Sequence, residues 1–167
     1  MVHIYTGEGK GKTTAAFGLA MRANGQGLKV VILQFFKTKG LACGEVISAK
    51  KLKNIRIVKC NECHPMFGGR KKKKAVEAMV KKAEKAILGG KYNMVILDEV
   101  INAMTQGFIK KERLIRLLKI TAKEKELVLT GRGDISGIEA AADYITIMID
   151  KKHPFGQRIR ARKGIEY

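Results

Sequence analysis

Ile4-Tyr5-Thr6-Gly7-Glu8-Gly9-Lys10-Gly11-Lys12-Thr13-Thr14 joins a short apolar run to alternating glycines and then to the start of a helix. Gly7, Gly9 and Gly11 can take positive φ, which turns successive backbone N–H groups inward and makes a nest for phosphate oxygens. The N-terminus of the helix that follows adds donors and the positive end of its dipole. The stretch reads as a phosphate-binding loop. Gly7, Glu8, Gly9, Lys10, Gly11, Lys12, Thr13 and Thr14 would cradle a nucleotide's phosphates, with Lys12 reaching the outer ones and the Thr13 hydroxyl available to Mg²⁺. Against the usual spacing G-x-x-x-x-G-K-[ST], the place five before Gly11 is Thr6, so the loop departs from pattern at its first position. The plain alternative is a Gly/Lys surface turn. Such a turn has no reason to end in Gly-Lys-Thr-Thr between a strand and a helix.

A second signal stands further along. Met94-Val95-Ile96-Leu97-Asp98-Glu99 is an apolar strand ending in acids, which a metal-bound triphosphate needs opposite the loop, because Asp98 or Glu99 can hold Mg²⁺ directly or through water. Many buried strands end in Asp, so this run alone says little. Behind Gly-Lys-Thr-Thr, in this chain order, it points to a nucleotide site.

The rest of the chain alternates. Val2–Tyr5, Lys29–Phe35, Ile55–Val58, Met94–Glu99, Leu127–Thr130 and Tyr144–Ile149 read as strands. Helices are expected over Thr13–Ala23, Val46–Lys51, Ala75–Leu88 and Ile109–Lys119, with a short one opening at Ser136. Lys59–Lys74, with its Cys, His, Pro, paired Gly and lysine run, reads as a mobile loop over the site. Leu129-Thr130-Gly131-Arg132-Gly133 brings an arginine to a glycine turn at a strand end, so Arg132 is a further candidate for phosphate contact. Continuous apolar strands alternating with amphipathic helices predict an α/β fold: a doubly wound, mostly parallel sheet with helices on both faces and ligands at the strand C-termini.

The 167 residues fit one domain, 1–167, and 46% hydrophobic content excludes general disorder. No apolar run approaches the roughly 18 residues of a membrane span, and the N-terminus enters a strand without a signal pattern, so a cytoplasmic protein is expected. The net charge of +19 favours anions. Nucleic acid is disfavoured, because many lysines fall on helix faces and 6% aromatic content with no Trp supplies few stacking platforms. Cys43, Cys60 and Cys63 are an odd set without an export signal, so free thiols are expected. The C-x-x-C-H match at Cys60–His64 is read as accidental.

Several pieces together resemble the ATP:corrinoid adenosyltransferases that make adenosylcobalamin: TGEGKGKTTAAFGLAMRANGQG from Thr6, VVILQFFK from Val30, Gly44-Glu45, VILDEV from Val95, LVLTGRG from Leu127, KKHPF from Lys151 and the closing ARKGIEY from Ala161. They follow the family's order from end to end, and the shortened glycine spacing is the family's own. The resemblance implies a P-loop NTPase-like, RecA-type domain that transfers the 5′-deoxyadenosyl group of ATP to cobalt(I) of a reduced corrinoid, releasing triphosphate. It implies ATP and a corrinoid (cobalamin) as substrates, Mg²⁺ held by Thr13 with Glu99 or Asp98, an electron-donor flavoprotein, and a homodimer. Lys12, Thr13 and Glu99 then carry the chemistry. Family members place a Phe and a Trp against the corrin in the loop after the third strand; here Cys63–Arg70 holds Phe67 and no Trp. The rival readings are an ordinary P-loop ATPase or kinase yielding ADP, a nucleic-acid-stimulated ATPase, and a nucleotide-binding regulator without turnover.

Overall fold

A computed structural model describes residues 1–37, 43–60, 69–121, 124–154 and 160–166. Six strands form one parallel sheet: β1 (Val2–Thr6), β2 (Val30–Gln34), β3 (Ile55–Lys59), β4 (Met94–Asp98), β5 (Glu126–Thr130) and β6 (Tyr144–Ile147), in the order β3-β2-β4-β5-β1-β6. The helices are α1 (Lys12–Gly25), α2 (Gly44–Ala49), α3 (Gly69–Leu88), α4 (Val100–Thr105) and α5 (Lys111–Lys119).

Because side chains alternate along a strand, each apolar run feeds two cores. Val31, Leu33, Val95, Leu97, Leu127 and Leu129 pack with α3, α4 and α5. Their neighbours Val30, Ile32, Met94, Ile96 and Val128 pack with Ala16, Phe17 and Ala20 of α1 and Val46 of α2. Every residue of β2 and β4 is therefore buried, which is why these runs are continuously apolar. The chain passes from β1 outward to β2 and β3 over the α1–α2 face, then returns to β4 and β5 over the other. That reversal places the C-terminal ends of β1, β5 and β4 side by side, the position at which doubly wound sheets bind ligands.

The expected doubly wound architecture is present, with a sheet that is parallel throughout. Three local expectations change. The four-lysine run is helical, because α3 begins at Gly69 rather than Ala75. Within it Lys72 is buried, its ammonium 4.6 Å from the ring centroids of both Phe36 and Phe108 and 3.3 Å from Gln106 Oε1. Lys59, the first residue of the supposed loop, ends β3 instead, and residues 61–68, including Cys63, His64 and Phe67, lie outside the described residues. Helix α4 was not anticipated; it starts straight after Glu99. Of the two described cysteines, Cys43 is a buried free thiol, as expected, and Cys60 is disulfide-bonded, against expectation.

Candidate functional site

The phosphate loop hangs between β1 and α1 and is fastened from the side by the chain leaving β6. Met148 N–H donates to Thr6 O at 2.8 Å, and Gly9 N–H donates to Met148 O at 2.7 Å. Gly7, at φ 94°, lies so close to this segment that a Cβ there would collide with the Met148 carbonyl oxygen. Lys12 opens α1 and folds back over the loop, donating to Gly7 O at 2.5 Å and Gly9 O at 2.6 Å. Partial burial, and then the Arg132 charge, lower its pKa. The ammonium is thus held on backbone carbonyls, from which an anionic ligand can draw it.

Asp98 ends β4 and is fully buried. Its Oδ1 accepts from Thr13 Oγ1 at 2.9 Å and from Thr130 Oγ1 at 2.8 Å, and its Oδ2 accepts from Gln34 Nε2 at 3.0 Å. The sheet order makes this possible: β2 and β5 flank β4, and the β2–β4 register sets Gln34 opposite Asp98. Gln34 Oε1 is buried without a partner among the described residues.

Glu99 sits in the left-handed region, at φ 63° and ψ 21°, a conformation that costs a non-glycine residue about 1 kcal/mol. Its N–H donates to Thr130 Oγ1 at 2.9 Å. This backbone reversal starts α4 at once and turns the Glu99 side chain into the cavity wall. Burial, then the neighbouring Asp98 charge, raise its pKa above the usual carboxylate value. Burial works against the charge of Lys37, but Asp98 and Glu99 outweigh it and raise the pKa of the lysine.

Arg132 follows Gly131, whose φ of 149° and tight packing on Ile101 and Asn102 leave no room for a side chain. The Arg132 N–H donates to Asn102 Oδ1 at 3.0 Å, and its guanidinium reaches Glu8 Oε2 at 3.5 Å across the loop. Both ends of that pair are more than half exposed, so it constrains little.

These groups surround a cavity of about 690 Å³. The loop and helix start (Gly9 to Thr14) form its floor; Lys37, Glu99, Asn102, Thr130 and Arg132 form one side; Gly44, Glu45 and Ser48 of α2, with Gly164, Ile165 and Glu166, form the rest. Of the residues singled out by sequence, Gly9, Lys10, Gly11, Lys12, Thr13, Thr14, Glu99 and Arg132 line this space. Gly7 and Asp98 support it from behind, and Glu8 meets it through Arg132. Phe67 is outside the described residues. Gln34, Lys37, Thr130 and Glu166 were not assigned a role from sequence, because each owes its place to strand order or to the return of the chain terminus.

The donor set suits a hard dication. Thr13, Asp98 and Glu99 offer oxygen only, and burial, then the adjacent Asp98 charge, raise the proton affinity of Glu99, a cost that a bound cation offsets. Among the described residues no group of three or more His, Cys, Asp or Glu gathers as a metal cluster, at this site or elsewhere.

Comparison with known proteins agrees with this geometry. The crystal structure of the flagellar accessory protein FlaH from Methanocaldococcus jannaschii superposes with a TM-score of 0.60 over 87% of this chain and 69% of that one; at 15% identity the likeness is one of fold. The corrinoid adenosyltransferase of Pseudomonas aeruginosa is 30% identical over 166 residues, covering 98% of this chain and 82% of that protein. The corrinoid adenosyltransferase of Sinorhizobium sp is 31% identical, covering 100% and 80%, and that of Escherichia coli strain K12 is 27% identical, covering 100% and 85%. The family described as "ATP:corrinoid adenosyltransferase BtuR/CobO/CobP" matches residues 1–167. With the whole length matched and the loop, the acidic strand and the TGRG turn converging on one cavity, the chain belongs to the ATP:corrinoid adenosyltransferase family.

Proposed function

We propose that this protein transfers the 5′-deoxyadenosyl group of ATP to the cobalt of a reduced corrinoid. The observation that carries the reading is the family match over the full length, placed on a cavity whose cationic and N–H-lined floor suits a triphosphate. In the reaction the cobalt(I) electron pair attacks carbon 5′ of ATP. The cobalt–carbon bond forms, the carbon–oxygen bond breaks, and its electron pair leaves with the intact triphosphate. Cobalt(I) is itself the nucleophile, so the protein needs no activated serine or cysteine.

The protein's task is to bind and orient the triphosphate and to stabilise charge on the oxygen that departs. The loop and helix start, apart from Gly9 whose N–H is bonded to Met148 O, would supply N–H donors, and Lys12, Lys37 and Arg132 would supply positive charge. Drawn from the Gly7 and Gly9 carbonyls, Lys12 exchanges neutral acceptors for a charged one, an interaction that strengthens as charge develops. Thr13, with Glu99 or Asp98, would hold Mg²⁺, which screens the phosphate charge when bound. The buried Asp98 fixes the Thr13 hydroxyl, and Gln34 and Thr130 fix Asp98. A homodimer, a flavoprotein supplying electrons to the corrinoid, Phe67 as a corrin contact, and a cytoplasmic location belong to the same proposal. They rest on family resemblance; among the described residues no helix is long and apolar enough to cross a membrane.

The test is incubation of purified protein with MgATP and chemically reduced cobalamin, following the alkylcobalt product by absorbance and the phosphate product by chromatography. A light-sensitive alkylcobalt species with equimolar triphosphate is expected. ADP as the obligatory product, with cobalt unalkylated, would overturn the reading.

A further inference from the structure

The closing ARKGIEY segment is a sequence signature to which the reaction above gives no task, yet the structure brings it back across the whole chain to the phosphate loop. Residues 162–166 form a single tight turn. Ile165 N–H and Glu166 N–H donate to Arg162 O at 3.2 and 2.9 Å, and Gly164 provides the left-handed step at φ 79°. The Glu166 carboxylate closes the turn on itself: Oε2 accepts from Arg162 N at 2.7 Å and from Nε at 3.2 Å, and Oε1 accepts from Nη2 at 3.0 Å. The same Oε1 takes the Lys10 ammonium at 3.0 Å, tying the turn to the loop.

What the turn presents is Ile165. Among the described residues lining the cavity it is the only one with an apolar side chain, since the others are glycines, hydroxyl and amide residues, and charged residues. It stands 59% exposed. A nucleotide has a flat, weakly hydrated base at one end and a polyanion at the other. Loop, lysines and Arg132 account for the polyanion, and Ile165 is the described surface suited to the base.

We propose that Ile165 is the residue against which the adenine of ATP packs, presented by the Arg162–Glu166 turn and anchored through Lys10. This rests on the nucleotide reading of the cavity and adds the residue that positions the nucleoside. Covering most of an exposed isoleucine with a base predicts an affinity gain of about fivefold or more.

The test is calorimetric titration of wild type, Ile165→Ser and Glu166→Gln with MgATP and, separately, with magnesium tripolyphosphate, which lacks the base. Ile165→Ser is expected to weaken MgATP about fivefold and leave tripolyphosphate at its wild-type affinity. Glu166→Gln, which frees the turn from Lys10, is expected to weaken MgATP and leave tripolyphosphate no weaker. The proposal fails if Ile165→Ser binds MgATP as wild type does, or loses both ligands equally. Because the readout is binding, it separates from the reaction: an Ile165-dependent MgATP affinity without alkylcobalt product would sink the adenosyl transfer and leave this assignment standing. Ile165 is exposed, so equal melting temperatures of variant and wild type will certify the fold.

Discussion

Lys12 is held by the carbonyls of its own loop, Gly7 and Gly9, and loses part of its preference for charge to burial and to Arg132. A triphosphate reverses both effects, so the lysine contributes most when negative charge is greatest, at bond cleavage. Lys12→Ala is therefore expected to lower the single-turnover rate of adenosyl transfer by about 10²–10³-fold. Wild-type-like turnover would remove it from the mechanism. Glu99 is the opposite case. Its raised pKa means the folded protein holds that proton more tightly than the unfolded chain does. Its contribution to stability is then full below the ordinary carboxylate range and is lost as pH rises through the raised folded value. Glu99→Gln should accordingly melt higher than wild type at pH 7, with the gap closing toward pH 4, while losing about a hundredfold in metal-dependent adenosyl transfer. A melting temperature below wild type at pH 7 would show that the carboxylate's pairing with Lys37 outweighs its burial.

β4 and β5 were readable because each is an apolar run stopped by an acid or by glycine, and β2 because it is apolar throughout; the two-sided burial of β2 and β4 is the physical reason for that continuity. The loop and its acidic partner strand were readable for the same reason: both are contiguous in sequence. Gln34, Lys37 and Thr130 were not, because their approach to Asp98 depends on which strands neighbour β4, and no local pattern encodes strand order. The start of α3 misled for another reason. Consecutive lysines suggest a solvated loop, but lysine is a competent helix former, and two rings distant in sequence, Phe36 and Phe108, give Lys72 a place beneath the surface. Lys72→Ala should then cost about 1–2 kcal/mol in a denaturant titration, from the lost ring contacts and the buried stem. The neighbouring Lys73→Ala, at an exposed position, should move the midpoint negligibly. Equal effects of the two would mean that the ring contacts contribute nothing.

Across the whole molecule the net charge of +19 acts in two directions that salt can separate. Self-repulsion opposes the compact state, and the same field attracts ATP to the cavity. Raising ionic strength from 50 to 500 mM shortens the Debye length to a few ångströms and screens both. The ligand-free protein should consequently melt at a higher temperature in high salt, because what is screened is mostly repulsion. The added stability from MgATP, about 2.7 kcal/mol at a hundred times Kd, should shrink over the same range as Kd rises. Ion pairs that join distant segments, Arg113 with Glu77 and Glu84 and Lys10 with Glu166, work against the first effect, since salt weakens them too. They are partly exposed and few beside the surplus of lysine, so the repulsive contribution should dominate. Thermal melts at both salt concentrations, with and without MgATP, decide the matter: a ligand-free melting temperature that falls with salt would assign the fold's electrostatic balance to those pairs instead.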